Sequence, residues 1–199
     1  MKYPDTIENL IECFKKYPSI GSKSAERLAL ATLSLDEDTR NLFAQSIIDC
    51  GEKIKRCLKC NNYSENDLCK ICSDKTRNTE LICIVEDPRN IIQLEKANLF
   101  DGYYHVLKGL ISPMDGIEPE DLELDKLIQR IKKDNIKEVI IAVKPSIEGE
   151  TTSLYISKML EKENVIVSRI AQGVPLGADI DYVDSLTLEL ALENRKIIN

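Results

Sequence analysis

Four cysteines that lie close together in the chain constrain its fold more than any other feature. Cys57 and Cys60 form one Cys-x2-Cys pair, and Cys69 and Cys72 form a second pair after residues 61–68. Each pair turns two thiolates toward one point, and four thiolates suit a tetrahedral Zn²⁺ with no open position, which is the structural type of zinc site. The alternatives are two disulfides or reactive thiols. Because a cytosolic Cys-x2-Cys pair more often binds metal, we predict a small module that needs structural Zn²⁺ to fold.

The remaining composition limits the class of protein. The 199 residues are enough for one or two domains, and no apolar stretch is long enough to span a membrane. The first residues lead into an acidic amphipathic segment rather than a signal peptide, so we expect a cytoplasmic protein. Cys13, Cys50 and Cys83 lie in apolar runs and are expected in the core. The single histidine, His105, argues against Ser-His-Asp chemistry.

The negative net charge is distributed unevenly along the chain. Residues 1–80 hold 13 basic and 13 acidic side chains, whereas residues 81–199 hold 14 basic and 21 acidic ones. We therefore expect any polyanionic partner to meet the N-terminal part, through local positioning rather than through a broad basic field.

The N-terminal part reads as three helices. Apolar residues at helical spacing predict a helix over residues 6–17 and a second helix from residue 25. Three sets of residues are expected to cap the helices: Asp5 with Glu8, Ser22 or Ser24, and Ser34 with Glu37. The third helix is predicted to bury a side formed by Phe43, Ile47, Cys50 and Ile54.

A short turn, Pro18-Ser19-Ile20-Gly21, joins the first two helices. Such a turn presents backbone N–H groups at a helix N-terminus and can hold a phosphate, while Lys23 and Arg27 share one helix face beside it. The stretch resembles a helix-hairpin-helix DNA-binding motif, whose usual form is Pro-Gly-Ile-Gly, with Ser19 in place of the first glycine. The alternative is an ordinary helical hairpin with a solvated basic face.

After residue 80, short apolar strands alternate with helices. Strands are predicted at 81–85, 103–107, 139–143 and 165–170, with helices at 89–98, around 124–131 and at 151–162. This alternation predicts a parallel sheet covered on both faces, and ligands of such sheets bind at the carboxyl ends of the strands. Glu86 and residues 144–150 fall at those ends.

This part resembles a Toprim domain, in whose catalytic members a strand-end Glu and an Asp-x-Asp pair hold Mg²⁺. Glu86 matches the glutamate, but Lys144 and Ser146 stand where the aspartates would be. An ammonium repels the hard cation that carboxylates would bind, so two-metal chemistry is unsupported. Glu148 and Glu150 remain as weak metal ligands.

The C-terminal stretch from residue 173 is rich in turn residues. Ile180, Tyr182 and Val183 are predicted to form an extended segment that pairs with a sheet edge, its own or a neighbour's. A last helix capped by Asp184 follows.

The order of these parts resembles the RecR family of bacterial recombination mediators, over essentially the whole chain. The most specific stretches are residues 60–72, 110–117, 145–150 and 169–175. Departures from the family pattern are Ser19, Ser22, where proline is usual, and Lys144, where asparagine is usual.

The resemblance implies an architecture. It consists of an α+β N-terminal part, with a helical hairpin and a zinc module, followed by an α/β Toprim domain with a parallel sheet and then a C-terminal extended segment and helix. The implied boundaries are 1–56 for the DNA-binding hairpin region, 57–72 for the zinc finger, 81–175 for the Toprim domain and 176–199 for an oligomerisation segment.

The resemblance also implies a non-enzymatic function in recombinational repair. RecR proteins bind single- and double-stranded DNA and, with RecO and in many bacteria RecF, help to load RecA onto single-stranded DNA; they assemble as ring-like homo-tetramers. By carry-over, Lys23 and Arg27 contact the DNA backbone, and Glu86 and Glu148 dock basic residues of RecO. Two alternatives stay open: an Mg²⁺-dependent Toprim nuclease or primase-like enzyme, and a zinc-stapled scaffold without a nucleic-acid role.

Overall fold

The structure, a computed structural model, describes residues 2–98 and 100–197. The chain divides after Ile54 into two compact units, the first helical and the second built around a parallel sheet. None of the described helices is long and apolar enough to cross a membrane. The predicted boundaries 1–56 and 176–199 include residues 1, 198 and 199, which lie outside the described residues.

The first unit contains three helices, α1 (Asp5–Lys15), α2 (Ser22–Leu33) and α3 (Glu37–Lys53). Helices α1 and α2 pack against each other and bury Ile11 with Ala25 and Ala29. The two alanines on α2 leave room for a close approach of the helices, because the distance between packed helices follows the size of the side chains at the contact.

The predicted helix caps are wrong at all three starts. None of the predicted sets caps the N-terminus of its helix; these sets are Asp5 with Glu8, Ser22 or Ser24, and Ser34 with Glu37. Gly21 is the N-cap of α2, and Asp36 caps α3 by accepting a hydrogen bond from the Thr39 amide at 2.8 Å. Asp36 stands next to the first helical residue, so its carboxylate reaches the free N–H groups that Ser34 cannot reach.

Helix α3 does not bury the side that its spacing predicts. None of its residues is buried, and Phe43 and Ile47 are each 49% exposed. Cys13 and Cys50 are also exposed, so of the three cysteines expected in the core only Cys83 is there. The expectation failed because helical periodicity identifies an apolar face but not what covers it.

The second unit opens with the cysteine-rich segment. It contains a two-stranded antiparallel hairpin, β1 (Lys55–Arg56) with β2 (Tyr63–Ser64), and the short helix α4 (Lys70–Ser73).

A four-stranded sheet follows, with the order β4 (Tyr103–Val106), β3 (Leu81–Val85), β5 (Glu138–Ile141) and β6 (Ile166–Arg169). All neighbouring strands are parallel, which confirms the predicted sheet. The helices between and after these strands are α5 (Pro88–Ala97), α6 (Leu124–Asp134), α7 (Ile147–Leu160) and α8 (Ser185–Glu193).

Both faces of the sheet carry a core, as predicted. Ile82 and Ile84 of β3 face a cluster that includes Leu127 of α6 and Ile156 of α7. The alternate residues of the same strand, Cys83 and Val85, face a second cluster that includes Ile91 of α5. Successive strand residues point to opposite faces, so a strand buried on both sides reads as a continuous apolar run.

Two segments differ from the sequence-based prediction. Helix α7 begins at Ile147, one turn before the predicted start, because Ser146 caps it and accepts a hydrogen bond from the Gly149 amide at 3.2 Å. The predicted extended segment near Tyr182 is instead a 3₁₀ turn, Ile180–Tyr182, whereas Asp184 does cap α8. Turn-forming Asp179 accepts a hydrogen bond within this stretch, which favours a turn over a strand.

His105 lies buried in strand β4, and burial lowers its pKa to about 3, with smaller contributions from the charges of Arg130 and Lys126. The folded protein therefore holds a neutral imidazole that the unfolded chain would protonate near its ordinary pKa of 6.5.

We expect the unfolding free energy to be unaffected by His105 above about pH 6.5 and to fall as the pH drops toward the folded-state pKa, because only the unfolded state binds the proton in that range. Between about pH 7 and pH 5 the loss should be about 2 kcal/mol. Urea unfolding across this range would measure it, with His105→Leu as the comparison. Parallel pH curves for the two proteins would contradict the assignment.

Candidate metal centre and docking sites

The four predicted cysteines converge in one buried cluster. The Sγ atoms of Cys57, Cys60, Cys69 and Cys72 all lie within 4.8 Å of one another, and those of Cys60 and Cys69 are 3.6 Å apart. A tetrahedral zinc with Zn–S bonds of about 2.3 Å separates its sulfur ligands by about 3.8 Å. The cluster therefore has the dimensions of a four-thiolate zinc centre, without a place for a substrate.

The local backbone explains why the sulfurs converge. Cys57 follows β1, and Cys69 is the N-cap of helix α4, which carries Cys72. Backbone amides point at the sulfurs, from Cys69 to Cys57 Sγ at 3.3 Å and from Cys72 to Cys69 Sγ at 3.5 Å. Such N–H groups stabilise thiolates, which are the metal-binding form of cysteine. Asn61 closes the first knuckle with a left-handed backbone, φ +61°.

Hydrogen bonds hold the cysteine-rich segment against the edge strand β4. The Val106 amide donates to the Cys60 carbonyl at 2.8 Å, and the Asn61 side-chain amide donates to the Val106 carbonyl at 3.1 Å. An uncovered edge strand offers unpaired backbone groups to other chains, so this contact also protects the sheet.

A partly buried ion cluster reinforces that attachment. Arg130 of α6 is 6% exposed and donates to the carbonyls of Tyr104 at 2.6 Å and Lys59 at 3.3 Å. Lys59 in turn pairs with Asp134 at 2.8 Å. This cluster was not predicted from the sequence. The available signal was Arg130 itself, a charged residue three positions after Leu127 on the apolar face of a helix.

Lys23 and Arg27, the predicted DNA-binding residues, lie on the first two turns of α2, and both are exposed. Neither takes part in an ion pair with any residue that the structure describes, so their charges are available to a ligand. The α2 N-terminus beside them begins at Gly21 without a side-chain cap. The structure thus brings together the basic pair and the free N–H groups of the hairpin.

Ser19, the departure from the hairpin pattern, has a left-handed backbone with φ +66°. This is the conformation that the glycine of the usual motif adopts without strain. The hairpin geometry is therefore retained with serine, at a conformational cost of about 1 kcal/mol.

Glu86 and Glu148, the predicted docking residues, line one cavity of about 300 Å³ at the carboxyl end of the sheet. Glu86 follows β3 and accepts a hydrogen bond from the Lys144 amide at 3.4 Å, while Glu148 lies in the first turn of α7. A hydrogen bond from the Ser146 hydroxyl and, to a lesser extent, the Lys144 charge lower the pKa of Glu148. Both acids and Lys144 thus line the same cavity.

Glu150 is engaged elsewhere. It forms an ion pair with Arg169 and accepts a hydrogen bond from Gln172 at 3.3 Å, and the Arg169 contact lowers its pKa. The cysteine cluster is the one group of three or more potential metal ligands among the described residues. The strand-end cavity therefore has no carboxylate cluster of the kind that holds Mg²⁺.

Gly149 explains why this cavity has its shape. A Cβ atom at this position would lie 2.0 Å from the Lys144 carbonyl oxygen. Only glycine therefore allows the first turn of α7 to pack against the loop that carries Lys144.

The fold and the four-cysteine centre define a zinc-finger protein with a Toprim domain. Family models match four successive parts of the chain: the RecR helix-hairpin-helix at residues 7–50, the RecR four-cysteine zinc finger domain at 54–74, the Toprim domain at 80–171 and the RecR C-terminal region at 173–196. The Recombination protein RecR of Staphylococcus aureus strain JH9 and that of strain Newman are each 45% identical to this chain over 195 residues, which is 98% of this chain and 98% of each relative.

The chain belongs to the RecR family of recombination proteins. This confirms the resemblance, the predicted fold class and the structural zinc site, and it supports a role in recombinational repair. The helix-hairpin-helix match also indicates interaction with DNA.

Cys60→Ser is expected to lower the zinc content to well below one ion per chain and to destabilise the second unit, because the knuckle that holds Val106 is built on this ligand. Metal analysis after dialysis and thermal unfolding would measure both effects. Cys50→Ser, an exposed cysteine outside the cluster, is the control and should retain both zinc and stability. Full zinc retention by Cys60→Ser would contradict the four-thiolate assignment.

Proposed function

We propose that this chain is a non-enzymatic mediator of recombinational repair. It binds single- and double-stranded DNA and, together with RecO and RecF, helps to load RecA onto single-stranded DNA. The observation that carries this proposal is the strand-end cavity, which Lys144 lines together with Glu86 and Glu148. An ammonium in this cavity opposes binding of a catalytic divalent cation.

The DNA-binding surface in this proposal is the hairpin of the first unit. Phosphate oxygens are held by the uncapped N–H groups at the start of α2 and by the charges of Lys23 and Arg27. Contacts to phosphates carry no sequence information, so binding is expected to be independent of sequence and to weaken as salt rises.

The protein-docking surface is the cavity with Glu86 and Glu148 at the carboxyl end of the sheet. Its position agrees with the rule that parallel sheets bind ligands at that end. The acidic excess of residues 81–199 favours a basic partner, which in this proposal is RecO.

Assembly into a ring-like homo-tetramer completes the proposal. The apolar side chains of α3, including Phe43 and Ile47, and the C-terminal residues Leu176 and Tyr182 are exposed on the single chain. Exposed apolar residues in groups are typical of protein interfaces, and two such groups per chain supply the two contacts that a ring requires.

Combined charge reversal, Lys23→Glu with Arg27→Glu, is expected to weaken DNA binding about tenfold or more and to flatten its salt dependence, because two phosphate contacts are lost. Fluorescence anisotropy with labelled oligonucleotides at several salt concentrations would measure this. Lys96→Glu with Lys133→Glu is the matched control, since it reverses two exposed lysines on helices of the second unit, away from α3. Equal binding by both double variants would reject the assigned surface.

Glu86→Lys is expected to weaken binding of purified RecO about tenfold or more, because it places a like charge against the basic partner. Isothermal titration calorimetry would measure the affinity, and zinc content and unfolding would be checked on the same samples. Glu80→Lys, at an exposed glutamate just before strand β3, is the control. Unchanged RecO affinity in Glu86→Lys would show that the docking surface lies elsewhere.

A further inference from the structure

A second cavity lies on the other side of the Glu86–Asp87 turn. This zinc-side cleft has a volume of about 550 Å³ and is bounded by Arg56 and Asn61 of the cysteine-rich segment, by Lys108 after β4, and by Glu123 and Lys126 at the start of α6. It shares Glu86 and Asp87 with the smaller docking cavity described above. The two cavities are therefore neighbours across one turn.

The zinc-side cleft presents three cations from three different elements. Lys108 and Lys126 both pair with the Glu123 carboxylate, at 2.5 Å and 2.6 Å, and hold the pKa of Glu123 down at about 2. Glu123 has a left-handed backbone, φ +51°, because it is the C-cap of the 3₁₀ turn Pro119–Leu122. One carboxylate between two ammonium groups leaves an excess of positive charge.

The third cation is fixed in place before any partner binds. The Arg56 guanidinium lies 4.6 Å from the centre of the Tyr63 ring and donates to the Asn61 carbonyl at 3.0 Å. Because these contacts already restrict the side chain, an anion that binds it incurs little additional ordering cost.

The acidic residues shared with the docking cavity reduce this charge without cancelling it, because three cations face only Glu86 and Glu123 once Asp87 is paired. Asp87 caps α5 and pairs with Arg89 at 2.8 Å, so its charge is already neutralised. On the other side of the turn, Asp115, Glu148 and Glu86 outnumber Lys144. The groove formed by the two cavities is thus acidic on one side and basic on the other.

We propose that the two cavities form one docking groove of mixed polarity, which receives a protein segment that carries a basic side chain for the Glu86–Glu148 side and a carboxylate for the zinc-side cleft. The inference rests on the proposed function and extends it, because it adds Arg56, Lys108 and Lys126 to the docking surface and assigns the partner a second, acidic group.

The alternative occupant of a basic cleft is nucleic acid. A polyanion that entered the zinc-side cleft would also pass Glu86, which lines both cavities, and Glu148 beyond it, and like charges in such proximity oppose binding. A segment with one positive and one negative side chain meets attraction on both sides. The arrangement therefore favours a protein segment over a strand of DNA.

The test measures binding of purified RecO to the full-length, zinc-loaded protein by calorimetry. Lys108→Glu and Lys126→Glu are each expected to weaken binding about tenfold, while Lys133→Glu, an exposed lysine on α6 outside both cavities, changes it less than about twofold. Glu123→Gln is expected to bind about threefold tighter, since it removes the carboxylate that competes for both lysines. Circular dichroism confirms that each variant is folded.

Three results would overturn the inference. In the first, Lys108→Glu and Lys126→Glu bind RecO with the same affinity as Lys133→Glu, while Glu86→Lys does not bind it. The docking groove would then end at Glu86, and only this inference would fail. If Glu86→Lys also binds normally, the proposed docking function fails and the inference falls with it. If the lysine variants lose affinity for labelled single-stranded DNA but not for RecO, the cleft is a nucleic-acid contact instead.

Discussion

The attachment of the cysteine-rich segment to strand β4 is the contact on which the second unit depends. Val106 exchanges hydrogen bonds with the knuckle through Cys60 and Asn61, and the knuckle has a defined shape only because four thiolates meet at one metal. The metal thereby protects the edge of the sheet, and it also holds Arg56 and Asn61 where they bound the zinc-side cleft. The structural zinc site thus determines the form of the zinc-side cleft.

The carboxyl end of the sheet brings carboxylates together without forming a cluster of potential metal ligands among the described residues. The backbone brings Glu86 and Glu148 to one cavity, but Lys144 lines the same cavity and Glu150 pairs with Arg169 instead. The same carboxylates remain suited to basic side chains of a protein. Function in this fold follows the side chains at the strand ends rather than the fold itself.

The parts of the structure that local chemistry dictates were predictable from sequence. Strand β3 and the cysteine cluster follow from an apolar run and from ligand spacing, and both lie where predicted. The exposed face of α3 was not predictable, because periodicity does not identify what covers a helix. The Arg130 cluster was missed because its partners are backbone carbonyls of segments distant in sequence, which leave no local pattern.

The central claim is that this protein binds and positions its partners without acting on phosphodiester bonds. The most direct measurement is incubation of the purified, zinc-loaded chain with end-labelled single- and double-stranded DNA in Mg²⁺ or Mn²⁺, with Glu86→Ala as the reference. The account predicts the same background of products from both proteins. Cleavage or nucleotide incorporation by the parent chain that disappears in Glu86→Ala would contradict it.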